Sequence, residues 1–207
     1  GTVIVGTNVY SICVEKHHFQ KLAKSILRDK DQDLSSIPAV RHGILSEEIC
    51  RRRYVLEQTK KNICSATHPC ELVVDPTASY LCCSPHATVV EVVNSIVSYG
   101  IFECKCVYAE PGATWNDLIS SRESFCLERK DDKLQLRSDH AYYLQLIALS
   151  DTLDLNWIDT CILKGQDVYV RRLIHDEEVS SAVKKTHNFL LQLSSARYNK
   201  NNLICKL

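Results

Sequence analysis

An acidic and a basic residue, Glu103 and Lys105, lie two positions apart in an apolar run that begins at Gly100. Side chains alternate across a β-strand, so both would point to one face and Cys104 to the other. A carboxylate there can hold a divalent cation, which acidifies water and neutralises phosphate charge, while the ammonium orients the nucleophile. This arrangement suits phosphodiester hydrolysis. Alone it is a weak signal, because many proteins carry such residues as an ordinary ion pair.

The elements that must position this pair are predicted from hydrophobic periodicity. Apolar residues at helical intervals predict helices, and β-branched runs bounded by turn residues predict strands. The predicted helices are Val9–Arg28, about Ser36–Tyr54, about Ser138–Leu149 and Val179–Leu193. The predicted strands are Leu72–Val74, Tyr80–Cys83, Ala87–Val93, Gly100–Tyr108, Asn156–Leu163 and Asp167–Ile174.

This order of elements predicts an α/β fold in one domain over residues 1–207. The domain would comprise a helical part over about 9–62, a sheet core over about 71–175 and a closing helix over about 179–193. With 45% hydrophobic and 24% charged residues, the chain has the composition of a globular protein, which excludes disordered and fibrous classes.

Charge and cysteine content limit the partners and the compartment. The chain has 25 basic and 25 acidic residues, so a polyanion would need a local basic surface. The 11 cysteines lack C-x-x-C pairs, which favours reduced, mostly buried thiols in an intracellular protein of the nucleus or cytoplasm. No run of about eighteen apolar residues predicts a membrane span.

Four motifs in order resemble the YqaJ-like viral recombinase family, the lambda-exonuclease type of PD-(D/E)xK nucleases. Ser84-Pro85-His86-Ala87 followed by the strand from Gly100 to Cys106 resembles the family's S-P-D core and its E-x-K strand. The other three motifs are Gly43–Tyr54, His140–Gln145 and the final strands, which comprise Asn156–Asp159 and Val170–Ile174. The likeness implies a restriction-endonuclease-like fold with a mixed central sheet flanked by helices.

The resemblance also implies roles for individual residues. Glu103 and the backbone carbonyl of Cys104 would bind Mg²⁺ or Mn²⁺, and Lys105 would help to activate water. Glu47 would lie near the metal and Gln145 would orient water or phosphate. The candidates for phosphate contacts are Ser35, Ser36, Arg51 and Ser84.

His86 departs from the family pattern, which has an aspartate at this position. A neutral imidazole can bind Mn²⁺ or Zn²⁺, whereas Mg²⁺ prefers hard oxygen donors. Three explanations stay open. His86 is a tolerated ligand that shifts metal choice toward Mn²⁺, or it inactivates the site, or Asp75 or Glu91 supplies the missing carboxylate.

Basic residues could form a phosphate-binding groove or simply be solvated faces of helices and strands. The clusters are Arg51-Arg52-Arg53, Lys60-Lys61, Arg171-Arg172 and the first-helix residues Lys16, Lys21, Lys24 and Arg28. No run that mixes aromatic and basic residues predicts base stacking, so sequence-specific recognition is not indicated.

Two functions follow as hypotheses. The first is a metal-dependent deoxyribonuclease, exonuclease-like, that acts on duplex ends or single strands of DNA in end processing or recombination. The second is a catalytically impaired nuclease fold that binds nucleic acid or protein. A homo-oligomer is compatible with the resemblance. No nucleophile elbow predicts a serine hydrolase, and Walker and Rossmann glycine loops are lacking.

Overall fold

The computed structural model describes residues 4–5, 36–74, 81–175, 177 and 181. The helix predicted over Val9–Arg28 lies outside these residues, and so does all of the helix predicted over Val179–Leu193 except residue 181.

Most of the described elements are strands. In chain order they are β1 (Ile4–Val5), α1 (Pro38–Lys60), β2 (Cys64–Pro69), β3 (Val73–Val74), β4 (Leu81–Cys83), β5 (Ala87–Val93), β6 (Ile96–Cys106), α2 (Trp115–Ser121), β7 (Leu127–Lys130), β8 (Lys133–Leu136), α3 (Ala141–Leu153), β9 (Trp157–Lys164) and β10 (Asp167–Ile174). Of the helices in the described part of the chain, none has the length and apolarity needed to cross a lipid bilayer.

A five-stranded mixed sheet in the order β10-β9-β6-β5-β2 forms the centre of the fold. β6 and β9 pair in parallel, and the other neighbours in this sheet are antiparallel. A small sheet orders β1-β4-β3, and β7 and β8 form a separate hairpin. This architecture confirms the predicted α/β class.

The β5–β6 hairpin places the predicted catalytic strand beside β5. Asn94 and Ser95 both have positive φ, 50° and 66°, at its tight two-residue turn. Because Asn-Ser is a weaker turn signal than Asn-Gly, the sequence prediction began β6 at Gly100, whereas the strand begins at Ile96. In this pairing Ala87 lies opposite Phe102, which brings His86 next to Glu103.

Helix α1 covers one face of the sheet. Pro38 occupies its first turn, where the missing N–H costs no hydrogen bond. Every fourth residue from Ser46 to Gln58 is buried against the sheet, as the spacing of a helix face requires. The α1-side core comprises Cys50, Tyr54, Ala87, Val89, Phe102, Cys104, Trp157, Cys161 and Leu163.

Helix α3 covers the opposite face. It begins after His140, whose Nδ1 accepts a 3.0 Å hydrogen bond from the backbone N–H of Tyr142, so the helix predicted from Ser138 starts slightly later. Ile101, Tyr142, Leu146 and Ile162 are among the buried residues of the α3-side core. Glu103 and Lys105 share the face of Ile101, because alternate residues of β6 point the same way.

Candidate active site

Glu103 lies at the centre of the candidate site and is 3% exposed. Its Oε2 accepts hydrogen bonds from the backbone N–H of His86, at 3.2 Å, and lies 2.7 Å from the Nδ1 of the same residue. Its Oε1 accepts a 3.3 Å hydrogen bond from Nε2 of Gln145. The buried carboxylate is thus oriented from both sides, by the segment before β5 and by α3.

Glu47 approaches the same place from α1. Its Oε1 lies 3.5 Å from Nε2 of His86, so the imidazole lies between two carboxylates. Burial lowers the pKa of His86, but the hydrogen bond and charge of Glu103, with a smaller contribution from Glu47, outweigh it and raise the pKa above its usual range. The two negative charges therefore favour the imidazolium form.

Lys105 is exposed on β6, one residue beyond Cys104. Its ammonium lies 5.0 Å from the ring centroid of Tyr142, within the range of a cation–π contact. The Tyr142 hydroxyl is 2.8 Å from Oγ1 of Thr160, and burial raises the pKa of this phenol. The neutral phenol ring thus forms a wall against which the ammonium rests.

The sequence-predicted catalytic residues therefore meet at one end of the central sheet. Contacts link Glu47, His86, Glu103 and Gln145, and Lys105 shares the strand face of Glu103. Glu103 lies at Nδ1 of His86 and Glu47 at Nε2, so the imidazole separates the two carboxylates. If His86 loses its proton and turns aside, two carboxylates and an imidazole would give an N/O donor set of the kind that binds divalent transition metals. In such a set one imidazole replaces an oxygen donor, the ligand type that Mg²⁺ prefers.

Glu91 does not supply the missing carboxylate. Both of its oxygens accept 2.7 Å hydrogen bonds from Arg172, which lower the pKa of the carboxyl. It lies five residues along the chain from His86, about 16 Å in an extended strand. Asp75, the other candidate, lies outside the described residues.

The partner of Glu91 belongs to a buried network that sequence reasoning missed. Arg172 also donates to both oxygens of Asp159, at 2.8 and 2.7 Å, and stacks 3.7 Å from the Trp157 ring centroid. Tyr54 donates a 2.7 Å hydrogen bond to the same carboxylate. Arg172, predicted as part of a basic cluster, thus serves an internal ion pair.

The predicted phosphate-contact residues lie near α1 and β5. Ser36 is exposed two residues before α1, and Ser84 is exposed two residues before His86. Arg51 donates from Nε to Oε2 of Glu48 at 2.9 Å, so its charge is compensated on the helix surface. Ser35 and the first-helix basic residues lie outside the described residues.

The chain is similar to one known protein family and to several solved structures. The model of the YqaJ-like viral recombinase domain matches residues 2–148. The fold is similar to LHK-Exo in complex with dAMP (TM-score 0.66, 14% identity, 100% of this chain and 95% of that chain). It is also similar to the alkaline exonuclease LHK-Exo from Laribacter hongkongensis (TM-score 0.63, 15% identity, 100% of this chain and 95% of that chain).

A third similar structure is the phage-related exonuclease from Haemophilus somnus 129PT (TM-score 0.55, 11% identity, 94% of this chain and 96% of that chain). No curated protein matches the chain. The fold is that of the restriction-endonuclease-like nucleases. The family model matches most of the length of this chain, so the chain belongs to the YqaJ-like viral recombinase domain family.

Proposed function

We propose that this protein is a metal-dependent deoxyribonuclease that acts on DNA ends. The observation that carries the proposal is the convergence of Glu47, His86 and Glu103 beside an exposed lysine. Such a site combines cation-binding oxygens with a positive group that can orient a phosphate or water. Exonuclease neighbours of the same fold support action at ends.

In this proposal the two carboxylates and a deprotonated His86 would hold the cation once the imidazole turns from its place between them, with the Cys104 carbonyl as a further oxygen donor. Bound there, Mn²⁺ would supply Lewis acidity toward water and the scissile phosphate. Gln145 keeps Glu103 oriented through its 3.3 Å hydrogen bond. Lys105, directed by the Tyr142 ring, positions the attacking water and offsets phosphate charge.

A second candidate function rests on His86 itself. As an imidazolium between Glu103 and Glu47, it occupies the place of a cation and neutralises one of their charges. A site held in that state binds divalent cations weakly. The protein would then act as a DNA- or protein-binding module on a nuclease fold.

A cleavage assay on end-labelled linear duplex separates the two. We expect the unaltered protein to cut with Mn²⁺ and poorly with Mg²⁺, and His86→Asp to gain cutting with Mg²⁺. Glu103→Gln should lower the rate of cutting more than about 100-fold with either cation, because a direct metal ligand matters at least as much as the groups that orient it. Removal of the Lys105 side chain should lower the rate of cutting about 10²–10⁴-fold.

Controls make each outcome decisive. Glu47→Gln should also cut more slowly. Glu48→Gln is its control and should cut normally, since Glu48 is a neighbouring α1 acid that pairs with Arg51 and Arg52 instead of His86. Cutting by His86→Asp but not by the unaltered protein would show that His86 impairs the catalytic site, as the second candidate function requires. If neither protein cuts linear duplex with Mn²⁺ or Mg²⁺, the nuclease proposal is wrong.

A further inference from the structure

Three cysteine thiols meet beneath the strand that carries Glu103. Cys50 extends from α1, and Cys104 and Cys106 extend from β6 on the face opposite Glu103. Their three sulfur atoms all lie within 4.8 Å of one another. Thiols on alternate residues of a strand and on the helix above it are therefore close enough to share one ion.

A fourth sulfur adjoins this group. Sγ of Cys161, on β9, is 3.2 Å from Sγ of Cys50, and Cys161 lies beside Cys104 in the parallel pairing of β6 and β9. Zn–S bonds of about 2.3 Å place the sulfurs of a tetrahedral site about 3.8 Å apart. The separations of up to 4.8 Å among the three thiols, and of 3.2 Å between Cys50 and Cys161, bracket this value, so the thiols must shift to coordinate one ion.

The chemistry of the donors selects the ion. Thiolates are soft ligands that favour Zn²⁺ over Mg²⁺ or Ca²⁺. Cys106 is half-buried, which leaves a route for an ion, whereas Cys50 and Cys104 are buried.

We propose that Cys50, Cys104 and Cys106 form a second metal site, separate from the carboxylate site, that binds Zn²⁺, with Cys161 as the nearest fourth donor. The ordinary alternative is that these thiols fill the core as small apolar groups. Three sulfurs from two elements within 4.8 Å, one of them accessible, favour metal binding.

The site would connect the elements that carry the two carboxylates. Cys50 lies three residues from Glu47 on α1, and Cys104 follows Glu103 directly on β6. A bound Zn²⁺ would hold the helix against the strand and restrain the position of one carboxylate relative to the other. This inference does not require that the protein cuts DNA.

Cobalt substitution tests the proposal without an activity assay. Reduced, metal-free protein is titrated with Co²⁺, and thiolate coordination produces strong sulfur-to-cobalt absorption in the near ultraviolet. We expect these bands at one equivalent, their loss when Zn²⁺ displaces Co²⁺, and a higher Tm with Zn²⁺. Cys106→Ser should weaken Zn²⁺ binding by more than about tenfold.

Two variants isolate the cysteine site. Cys126→Ser removes a buried thiol from the α3-side core and should keep the bands. Glu103→Gln alters only the carboxylate site and should also keep them, which separates this inference from the proposed nuclease function. The proposal is wrong if the unaltered protein shows no sulfur-to-cobalt bands, and this outcome does not depend on whether Cys106→Ser folds. It is also wrong if Cys106→Ser and Cys126→Ser lose the bands equally.

Discussion

His86 is in contact with two acidic side chains, and its proton therefore contributes to folding. Its pKa in the folded protein is raised because the charge of Glu103, at 2.7 Å, and that of Glu47, at 3.5 Å, outweigh the effect of burial. The corresponding stability is fully present below the unfolded pKa of about 6.5 and is lost as pH rises through the folded pKa.

We therefore expect the free energy of unfolding of the metal-free protein to fall with rising pH above about 6.5. His86→Gln should remove that slope, because glutamine does not titrate. Urea denaturation at a series of pH values measures the effect. His68→Gln, at an exposed histidine on β2, is the control and should keep the slope. Parallel pH profiles for His86→Gln and the unaltered protein would contradict the assignment.

At the scale of elements, Gly100 on β6 packs closely against the side chain of Trp157 on β9. A Cβ added there would lie 2.3 Å from atoms of the Trp157 ring, far inside van der Waals contact. Trp157 cannot move away freely, because Arg172 stacks on it. Only glycine lets the strand pass beneath the indole.

Gly100→Ala should therefore destabilise the protein by about 1–3 kcal/mol, the usual cost of overpacking a core. Gly43→Ala is the matched control, since no atom apart from its chain neighbours and the α1 backbone lies within 4 Å of its added Cβ. Alanine is also favoured over glycine within a helix by up to about 1 kcal/mol. Thermal or urea denaturation gives both values. A Gly100→Ala protein as stable as the unaltered one would contradict this packing.

The second element-scale feature is the ion network between β5, β9 and β10. Arg172→Met should cost about 3–5 kcal/mol, because the buried carboxylates of Glu91 and Asp159 lose their common cation. The loss should shrink in acid, because Arg172 holds the pKa of Glu91 below its usual range and that contribution disappears as pH falls through the lowered pKa.

Arg171→Met provides the comparison, since Arg171 is exposed and precedes Arg172 on β10. Its effect on the urea midpoint should stay small, within about 0.5 kcal/mol. Equal losses in the two variants would show that the network contributes little to stability.

For the whole molecule, two tryptophans report on opposite faces of the central sheet. Trp157 belongs to the α1-side core, whereas Trp115 packs against the α3-side core. Both cores share the strands of one sheet, so the faces should unfold together.

In Trp115→Phe and Trp157→Phe, the remaining tryptophan fluorescence and the far-ultraviolet circular dichroism should give coincident urea midpoints within each variant. Separate midpoints would show that the two faces unfold independently, contrary to the single-domain prediction.

Much of the site was predictable because its signals are local. Alternation along a strand puts Glu103 and Lys105 on one face, and the resemblance of the flanking motifs indicated Glu47 and Gln145. The elements missed were short ones: β1 (Ile4–Val5), β2 (Cys64–Pro69), α2 (Trp115–Ser121) and the β7–β8 hairpin. Their sequences carry little periodicity, and neighbouring elements stabilise them.

The sequence alone thus determined the class of fold and the strand on which the candidate chemistry stands, since side-chain periodicity follows from local backbone geometry. Only the tertiary structure decided that Glu91 pairs with Arg172 and that His86 lies between two carboxylates. The same holds for the meeting of thiols from α1 and β6. These contacts depend on strand register and on where α1 crosses the sheet. Both are determined by interactions between residues that are far apart in the sequence.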